Sequence, residues 1–497
     1  MMDSFAQHER FLFPHSWWIL ALALGIAMVI SLEKRDPVRT LCWLLVLFAL
    51  PVIGIVFYLL FGENLRDKKW KRHQETVQHF FQTERKENYI EQETDNAMML
   101  SQDNTMELPD RGIMNLVMRS GMSPVTGRNS VKIYKEGREK FLHMLEDIQK
   151  AEHHVHLEYF IIRDGILAEK LRRLLIEKAE QGVEVRILYD DIGSWRLYLK
   201  PAFMHSLRAA GVEVKTYVQG RFPYLYRKLN YRNHRKICII DGKIGYVGGI
   251  NIGDEYVHGS KKFGYWRDTH LQIKGEAVQS LQTVFITDWF ALTGKQLLDA
   301  RYFPRQNLEA ANSIVQIVTS GADSPHQTIY EAYFYAIAQA KETIYIETPY
   351  FVPDEALLMA LKTAALSGVD IRIIFPAVAD HFMVYHASLS YLEQIAGLGA
   401  AVYFYQKTSR PSFLHSKMVL VDHKMASIGT ANLDIRSFAI NSEINAFIYD
   451  RKTIEQLYQI FAEDLQNARY ITTDEFKKRR PEGKIIDALC RLFSPLL

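Results

Sequence analysis

The chain has 497 residues, 48% hydrophobic and 24% charged, enough apolar material for packed cores and too much for a disordered or low-complexity protein. Lys plus Arg number 60 against 57 Asp plus Glu, a net charge of +3, which argues against a uniformly basic nucleic-acid coat. The three Cys (Cys42, Cys238, Cys490) are too far apart for a disulfide framework or a Cys-rich zinc site, and they fit a reducing compartment.

Two apolar runs come first. Trp17 to Leu32 carries no charge and reaches membrane length if Phe11, Leu12 and Phe13 are included. Leu41 to Phe61 is 21 residues without a charge. A polar turn, Glu33 to Arg39, separates them, so the pattern predicts a helical hairpin with spans at about 11–32 and 41–61. A signal peptide would have one apolar region and a small-residue cleavage site, whereas here a longer run follows. Arg10, Arg66, Lys68, Lys69, Lys71 and Arg72 flank the outer ends, against Lys34, Arg35 and Arg39 in the turn. That bias predicts both termini on the cytoplasmic side. Residues 63–124 are polar and read as a linker, helical or partly mobile.

From about residue 125 strands and helices alternate. Val131 to Tyr134 reads as a strand, and Gly137 to Ala151 as a helix with Phe141, Leu142, Leu145 and Ile148 on one face. His154 to Ile162 reads as an apolar strand. This pattern then recurs: Phe160 and Phe351 are 191 residues apart, Gly182 and Gly368 186 apart. The boundaries predicted are 1–62 for the hairpin, 63–124 for the linker, 125–305 and 306–497 for two α/β units.

The repeat also contains the chemistry. His234, Lys236, Asp241, Gly248 and Asn251 match His415, Lys417, Asp422, Gly429 and Asn432 at identical spacing, His-x-Lys-x4-Asp-x6-Gly-x-x-Asn. In a strand, residues two apart share a face, so each His and its Lys point the same way. Each Asp then falls where the strand must turn, a place where carboxylates usually bind backbone N–H groups. A neutral imidazole is a nucleophile or base, and a protonated one an acid. Two copies facing each other supply a nucleophile and an acid, with Lys236 and Lys417 as fixed cations and Asn251 and Asn432 as further donors around one phosphate.

This doubled motif resembles the signature of the phospholipase D superfamily. Within it, the hairpin, Asp36 to Leu45, Tyr58 to Gly62, Tyr265 to His270 and Leu492 to Leu497 are similar to bacterial cardiolipin synthases. The resemblance implies an α/β fold of two tandem phospholipase D-like repeats, each a mixed sheet flanked by helices, related by a pseudo-twofold and preceded by a transmembrane hairpin. It implies that the two His-Lys-Asp sets are catalytic. A phosphatidyl-histidine would form on one His and be passed to a second phosphatidylglycerol, with the other His as acid and then base. No metal or other cofactor is implied. The implied partners are phosphatidylglycerol and an anionic membrane, not nucleic acid, and the implied place is the bacterial cell membrane, multi-pass, with the repeats cytoplasmic. In this superfamily a downstream carboxylate orients each imidazole. Asp268, 34 residues after His234, and Glu443, 28 residues after His415, fit that role.

Weaker features have two readings each. Arg221 to Lys236 interleaves basic and aromatic residues, as a headgroup-binding segment or a solvated loop. Lys477 to Arg480 precede an apolar terminus, as an interfacial helix or one packed on the second repeat. His153, His154 and His156 lack accompanying ligands at metal spacing. A membrane-bound phospholipase D, using water as acceptor, is the alternative activity. The motif treats His234 and His415 alike, and it leaves nucleophile, headgroup range and oligomeric state open.

Overall fold

The computed structural model describes residues 16–32, 37–52, 54, 55, 58, 111–121, 123–217, 231–297, 299–306, 311–321, 324, 326–406 and 411–494. Most of the expected linker and most of the basic, aromatic segment from Arg221 lie outside these residues. The described residues form two units, the N-terminal helices and the remainder.

In the first unit, α1 spans Ser16–Leu32 and α2 spans Pro37–Ala49. Ala23, Ile30, Leu47 and Ile55 pack together, and Trp43 meets Tyr58 edge to face at 5.3 Å. Leu22, Leu24, Met28, Leu41, Leu45 and Phe48 remain exposed. No described helix is long and apolar enough to cross a membrane.

The second unit begins with α3 (Arg111–Gly121). Its residues were expected in the polar linker, yet Ile113, Met114 and Val117 are buried in the core described below. The first repeat follows as β1 (Thr126–Tyr134), α4 (Gly137–Gln149), β2 (His154–Tyr159), α5 (Ile166–Glu180), β3 (Glu184–Tyr189), α6 (Pro201–Ala209), β4 (Glu213–Thr216), β5 (Lys236–Ile240), β6 (Ile244–Gly248), β7 (Tyr265–Arg267), β8 (His270–Gly275) and α7 (Ala277–Thr293). The second runs β9 (Ser313–Ser320), α8 (Thr328–Gln339), β10 (Thr343–Glu347), β11 (Phe351–Val352), α9 (Glu355–Leu366), β12 (Asp370–Pro376), α10 (Phe382–Ala396), β13 (Ala401–Tyr405), β14 (Ser412–Leu414), β15 (Met418–Val421), β16 (Met425–Gly429), β17 (Leu433–Asp434), α11 (Ile435–Ala439), β18 (Glu443–Ile448), α12 (Arg451–Gln466), β19 (Ala468–Ile471) and α13 (Pro481–Leu492). On α4, Phe141, Leu145 and Ile148 are buried as the periodicity predicts. Leu142 faces solvent, and Met144 takes its place in the core.

One mixed sheet of 15 strands holds both repeats. Outward from its centre the first repeat reads β1-β8-β6-β5-β2-β3-β4, and the second reads β9-β18-β16-β15-β10-β12-β13-β19. Central β1 and β9 pair antiparallel, Thr126 opposite Val315, which is the relation a pseudo-twofold requires. β2, β3 and β4 are parallel, as are β10, β12 and β13; the helical crossovers between them cover the sheet. Each repeat has an apolar cluster beneath its crossover helices. A third cluster, under α7 and α12, draws Leu188, Ile237 and Leu271 from one repeat and Ile374, Leu420 and Ile444 from the other. The two repeats are therefore welded through a shared core.

Candidate active site

Each motif histidine sits just before the middle strand of its own repeat and is laced to the other repeat. The backbone N–H of His234 donates to the Ser442 carbonyl (2.9 Å), and Ser442 N–H donates to the Arg232 carbonyl (2.8 Å). On the other side, β14 runs parallel to β7, and His415 N–H donates to the Arg267 carbonyl (2.7 Å). The residue after Ser442 is Glu443, and the residue after Arg267 is Asp268. Each imidazole is therefore delivered to a carboxylate from the opposite repeat. His234 Nδ1–H donates to Glu443 Oε2 at 2.8 Å, and His415 Nδ1–H donates to Asp268 Oδ2 at 2.7 Å.

This corrects the pairing expected from chain order, Asp268 with His234 and Glu443 with His415. The cause is topological. Asp268 lies just before β8 and Glu443 opens β18, the strands next to the central β1–β9 pair. A side chain there reaches across the boundary more readily than along its own sheet.

With Nδ1 held as donor, Nε2 of each imidazole carries the lone pair. Neither Nε2 has a protein partner among the described residues, and each histidine side chain keeps a tenth of its surface exposed. Lys236 and Lys417 are buried at the floor, and each Nζ donates to the carbonyl of its own histidine at 2.5 Å. Burial lowers Lys236 to about 7 and Lys417 to about 8. Burial, then the charges of Lys236 and Lys417, holds His234 well below the usual imidazole range. His415 is also lowered, by burial and Lys417, but Asp268 and Asp380 oppose the shift. Burial raises Glu443 to about 7 against the pull of Lys236.

Asn251 and Asn432 are both buried. Asn251 accepts from Ile161 N–H (3.2 Å) and donates to Tyr256 OH (3.1 Å), and the Tyr256 ring packs 6.4 Å from that of His415. Asn432 is buried with its Oδ1 unpaired.

Asp241 and Asp422, grouped by motif with the catalytic residues, are elsewhere. They follow β5 and β15, on the order of 20 Å from their histidines at about 3.3 Å per strand residue. Asp241 accepts backbone N–H groups of Glu152, His153 and His154 at 2.8–2.9 Å. Asp422 accepts those of Lys341, Glu342 and Thr343 at 2.7–2.8 Å. Each occupies a left-handed position in a tight hairpin turn, φ 54° and 50°. The carboxylate ties that turn to the start of the neighbouring strand, so motif membership here reflects folding and not contact with the reacting centre.

Several residues beside the imidazoles lie outside the repeated motif. The Phe160 ring packs 4.8 Å from His234, and Trp266 packs 5.7 Å from His415. Beneath each histidine lies a buried carboxyl pair with one guanidinium. Arg235 bonds Asp288 near Glu158, and Arg267 bonds Asp464 (2.6 Å) near Glu347. Burial and the adjacent Asp push Glu158 and Glu347 well above the carboxylate range. A signal existed: Glu158 and Glu347 are carboxylates at matching places within apolar strands of the repeat. His154 and His156 are bridged by Gln282, through His154 Nε2 (3.1 Å) and His156 Nδ1 (2.8 Å), in a buried network of their own.

Comparison with known proteins identifies the family. The family described as cardiolipin synthase, PLD-like domain matches residues 144–289 and 333–465, and a phospholipase D-nuclease N-terminal family matches 17–63. A cardiolipin synthase of Geobacillus kaustophilus is 43% identical over 95% of this chain and 91% of its own length. The major cardiolipin synthase of Bacillus subtilis is 42% identical over 97% of this chain and 98% of its own. The crystal structure of a Haemophilus influenzae phosphatidylserine synthase shares the fold, with TM-score 0.58 at 16% identity, over 78% of this chain and all of that one. The chain belongs to the cardiolipin synthase family of phospholipase D-like proteins.

Proposed function

We propose that the protein is a phosphatidyltransferase that converts two phosphatidylglycerol molecules into cardiolipin and glycerol. The observation that carries this reading is the pair of buried imidazoles, each with Nδ1 tied to a carboxylate, Nε2 left open and a lysine beneath. Nε2 of one histidine attacks phosphorus, and the P–O bond to the glycerol headgroup breaks. The other histidine, protonated, gives its proton to the departing oxygen. Now neutral, it takes the proton from a primary hydroxyl of the second lipid, whose oxygen displaces the histidine from phosphorus. Lys236 and Lys417 balance charge on the phosphoryl oxygens. One phosphodiester replaces another, so no nucleotide is consumed.

The electrostatics favour one division of the roles. His234, held furthest below the usual range, is the resting nucleophile. His415, with Asp268 and Asp380 favouring its charged form, is the acid and base. Asn251 and Asn432 serve as further hydrogen-bond donors around the phosphate.

The division of the chain follows the same reading with the linker shortened: hairpin 1–62, linker 63–110, α3 packed into the core of the second repeat, and repeats 125–305 and 306–497. The apolar faces exposed by α1 and α2 support a membrane hairpin, and the basic bias of its outer flanks supports both termini and the repeats on the cytoplasmic side. Cys490 is a poor reporter of that topology, because it is 7% exposed. A Lys477→Cys variant at an exposed position serves instead, and its labelling by an impermeant reagent in intact cells would reverse the orientation.

The decisive experiment gives the purified full-length chain phosphatidylglycerol vesicles, EDTA and no nucleotide. Cardiolipin and glycerol are expected in equal amounts. Phosphatidic acid as the main product would establish a phospholipase D instead.

A further inference from the structure

The two histidines are only 8% exposed, yet the phosphodiester they must reach belongs to a lipid with two acyl chains. What surrounds the entrance therefore matters. Two segments flank it, one from each repeat, and both follow equivalent parallel strands. After β3, Asp190 accepts Asn233 N–H (3.1 Å), the residue before His234. Ser194 donates to the carbonyl of Phe160, the ring against His234. This segment then presents Ile192 (41% exposed) and Trp195 (54%) outward. After β12, Asp380 accepts Tyr350 OH (2.5 Å) and acts electrostatically on His415 and Lys417. That segment presents Val378 (41%), Phe382 (60%) and Met383 (40%).

Surface apolar residues scattered singly need no explanation. Here they occur at pseudo-symmetric places beside both halves of one site. On the second-repeat side the apolar surface continues. α13 lies against α10 through the Asp487–His386 contact (2.7 Å) and buried Cys490. Its other side exposes Ile485, Leu489 and Leu492, a stripe at i, i+4 and i+7. Between Lys477 and Phe493 there are six basic residues and two acidic ones, and Lys477, Lys478 and Arg480 are exposed. An apolar stripe with a cationic flank is the pattern of a helix lying in the headgroup layer of an anionic membrane.

We infer that the lips at Ile192–Trp195 and Val378–Met383, continued by α13, form a docking surface for an anionic phospholipid bilayer, one that seats the catalytic cleft directly on the lipid it consumes. This deepens the phosphatidyltransferase reading and rests on it. A seated cleft lets a phosphodiester rise from the headgroup layer to the histidines while the acyl chains stay in the membrane. It also keeps bulk water from the phosphatidyl-histidine, which transfer to a lipid hydroxyl requires.

The test uses the full-length chain in phosphatidylcholine vesicles and two donors. One is long-chain phosphatidylglycerol mixed into the same vesicles, and the other is a short-chain phosphatidylglycerol kept below its micelle concentration. The variant Trp195→Ser/Phe382→Ser/Met383→Ser is expected to lose about tenfold or more in kcat/KM on the vesicle donor, as buried apolar contacts are lost, and to stay within about twofold on the monomeric one. A second variant, Ile485→Ser/Leu489→Ser on α13, should show the same split more weakly. Equal loss on both donors, or no loss on vesicles, overturns the proposal. So does a change in oligomeric state by sedimentation with the vesicle rate intact, which would make this face a contact between copies of the chain. The wild-type product separates the two readings. Phosphatidic acid from wild type defeats the transferase assignment, whereas normal transfer without the vesicle-specific loss defeats docking alone.

Discussion

Between His234 and Lys236 the first repeat carries Arg235, whose guanidinium bonds Asp288 beside Glu158. The second repeat has Ser416 at that place, which brings no cation to the equivalent pair; its hydroxyl contacts Thr269 (2.8 Å) and lies beside Glu347. The cation for Glu347 and Asp464 comes from across the boundary, from Arg267. The position matching Arg267 beside the other histidine is Ser442. Arginine and serine have thus exchanged sides, and both floors still hold two carboxyl groups and one guanidinium. An uncompensated buried charge is costly, so the arrangement of charge is kept even where the residue supplying it is not. The carboxylates on the imidazoles follow the same logic, since each repeat holds the histidine of the other. Each repeat therefore completes the imidazole–carboxylate pair of the other.

The strongest way to break this comparison is to disable one half. If the histidines act as a unit, His234→Ala, His415→Ala and the double variant should each lose on the order of 10⁴-fold or more in kcat, with the double no worse than the singles. A single variant with substantial turnover would mean that one repeat works alone.

Next in size are the crossed carboxylates. Glu443→Gln and Asp268→Asn should each lower kcat by on the order of 10- to 10⁴-fold, by analogy with removing the orienting carboxylate of a Ser-His-Asp triad. Imidazole NMR of labelled protein sharpens the point: Asp268→Asn should move the His415 resonances and leave those of His234 in place. The reverse result would restore the pairing within each repeat. In wild type, Glu443 is raised to about 7, so its carboxylate is lost as pH falls through that value. Lys236 and Lys417, at about 7 and 8, lose charge as pH rises. The profile of kcat/KM should therefore peak near pH 7, and Glu443→Gln should remove its acid limb.

Much of this site was legible because it is written twice. A lone His-x-Lys carries no information, but the matched spacings from His234 to Asn251 and from His415 to Asn432 located both imidazoles and both lysines. The strand-helix alternation likewise gave the α/β class. What stayed hidden depends on contacts between residues far apart in sequence. The Glu443–His234 bond spans 209 positions, and no local period signals it. The helix at Arg111–Gly121 was hidden for a related reason: only three of its residues are buried, and only a tertiary partner reveals them. Asp241 and Asp422 show the opposite hazard, a motif position kept by the turn it builds.

The exchanged arginine offers a stability test. Arg267→Ser should leave Asp464 and Glu347 buried without their cation, at a cost of about 3–5 kcal/mol in chemical denaturation. Adding Ser416→Arg rebuilds the first repeat's arrangement in the second and should recover part of that loss. A double variant as unstable as Arg267→Ser alone would show that the two positions do not feed the same floor.

The smallest expected effect concerns the two aspartates of the motif. Asp422→Ala removes the acceptor of three backbone N–H groups, those of Lys341, Glu342 and Thr343. It also places alanine at φ 50°, a region that favours Gly, Asn and Asp. Each unpaired donor is partly re-solvated at this hairpin end, so the expected loss is about 1–3 kcal/mol in stability. The imidazoles and lysines lie at the far end of the strand and should not move, so kcat well below the melting temperature should stay within about twofold of wild type. Asp241→Ala should behave alike, with Asp→Asn milder at both sites because asparagine keeps one acceptor oxygen and tolerates the left-handed backbone. A fall in kcat comparable to that of Glu443→Gln, with stability unchanged, would place these carboxylates in the chemistry and return the motif to a single catalytic unit.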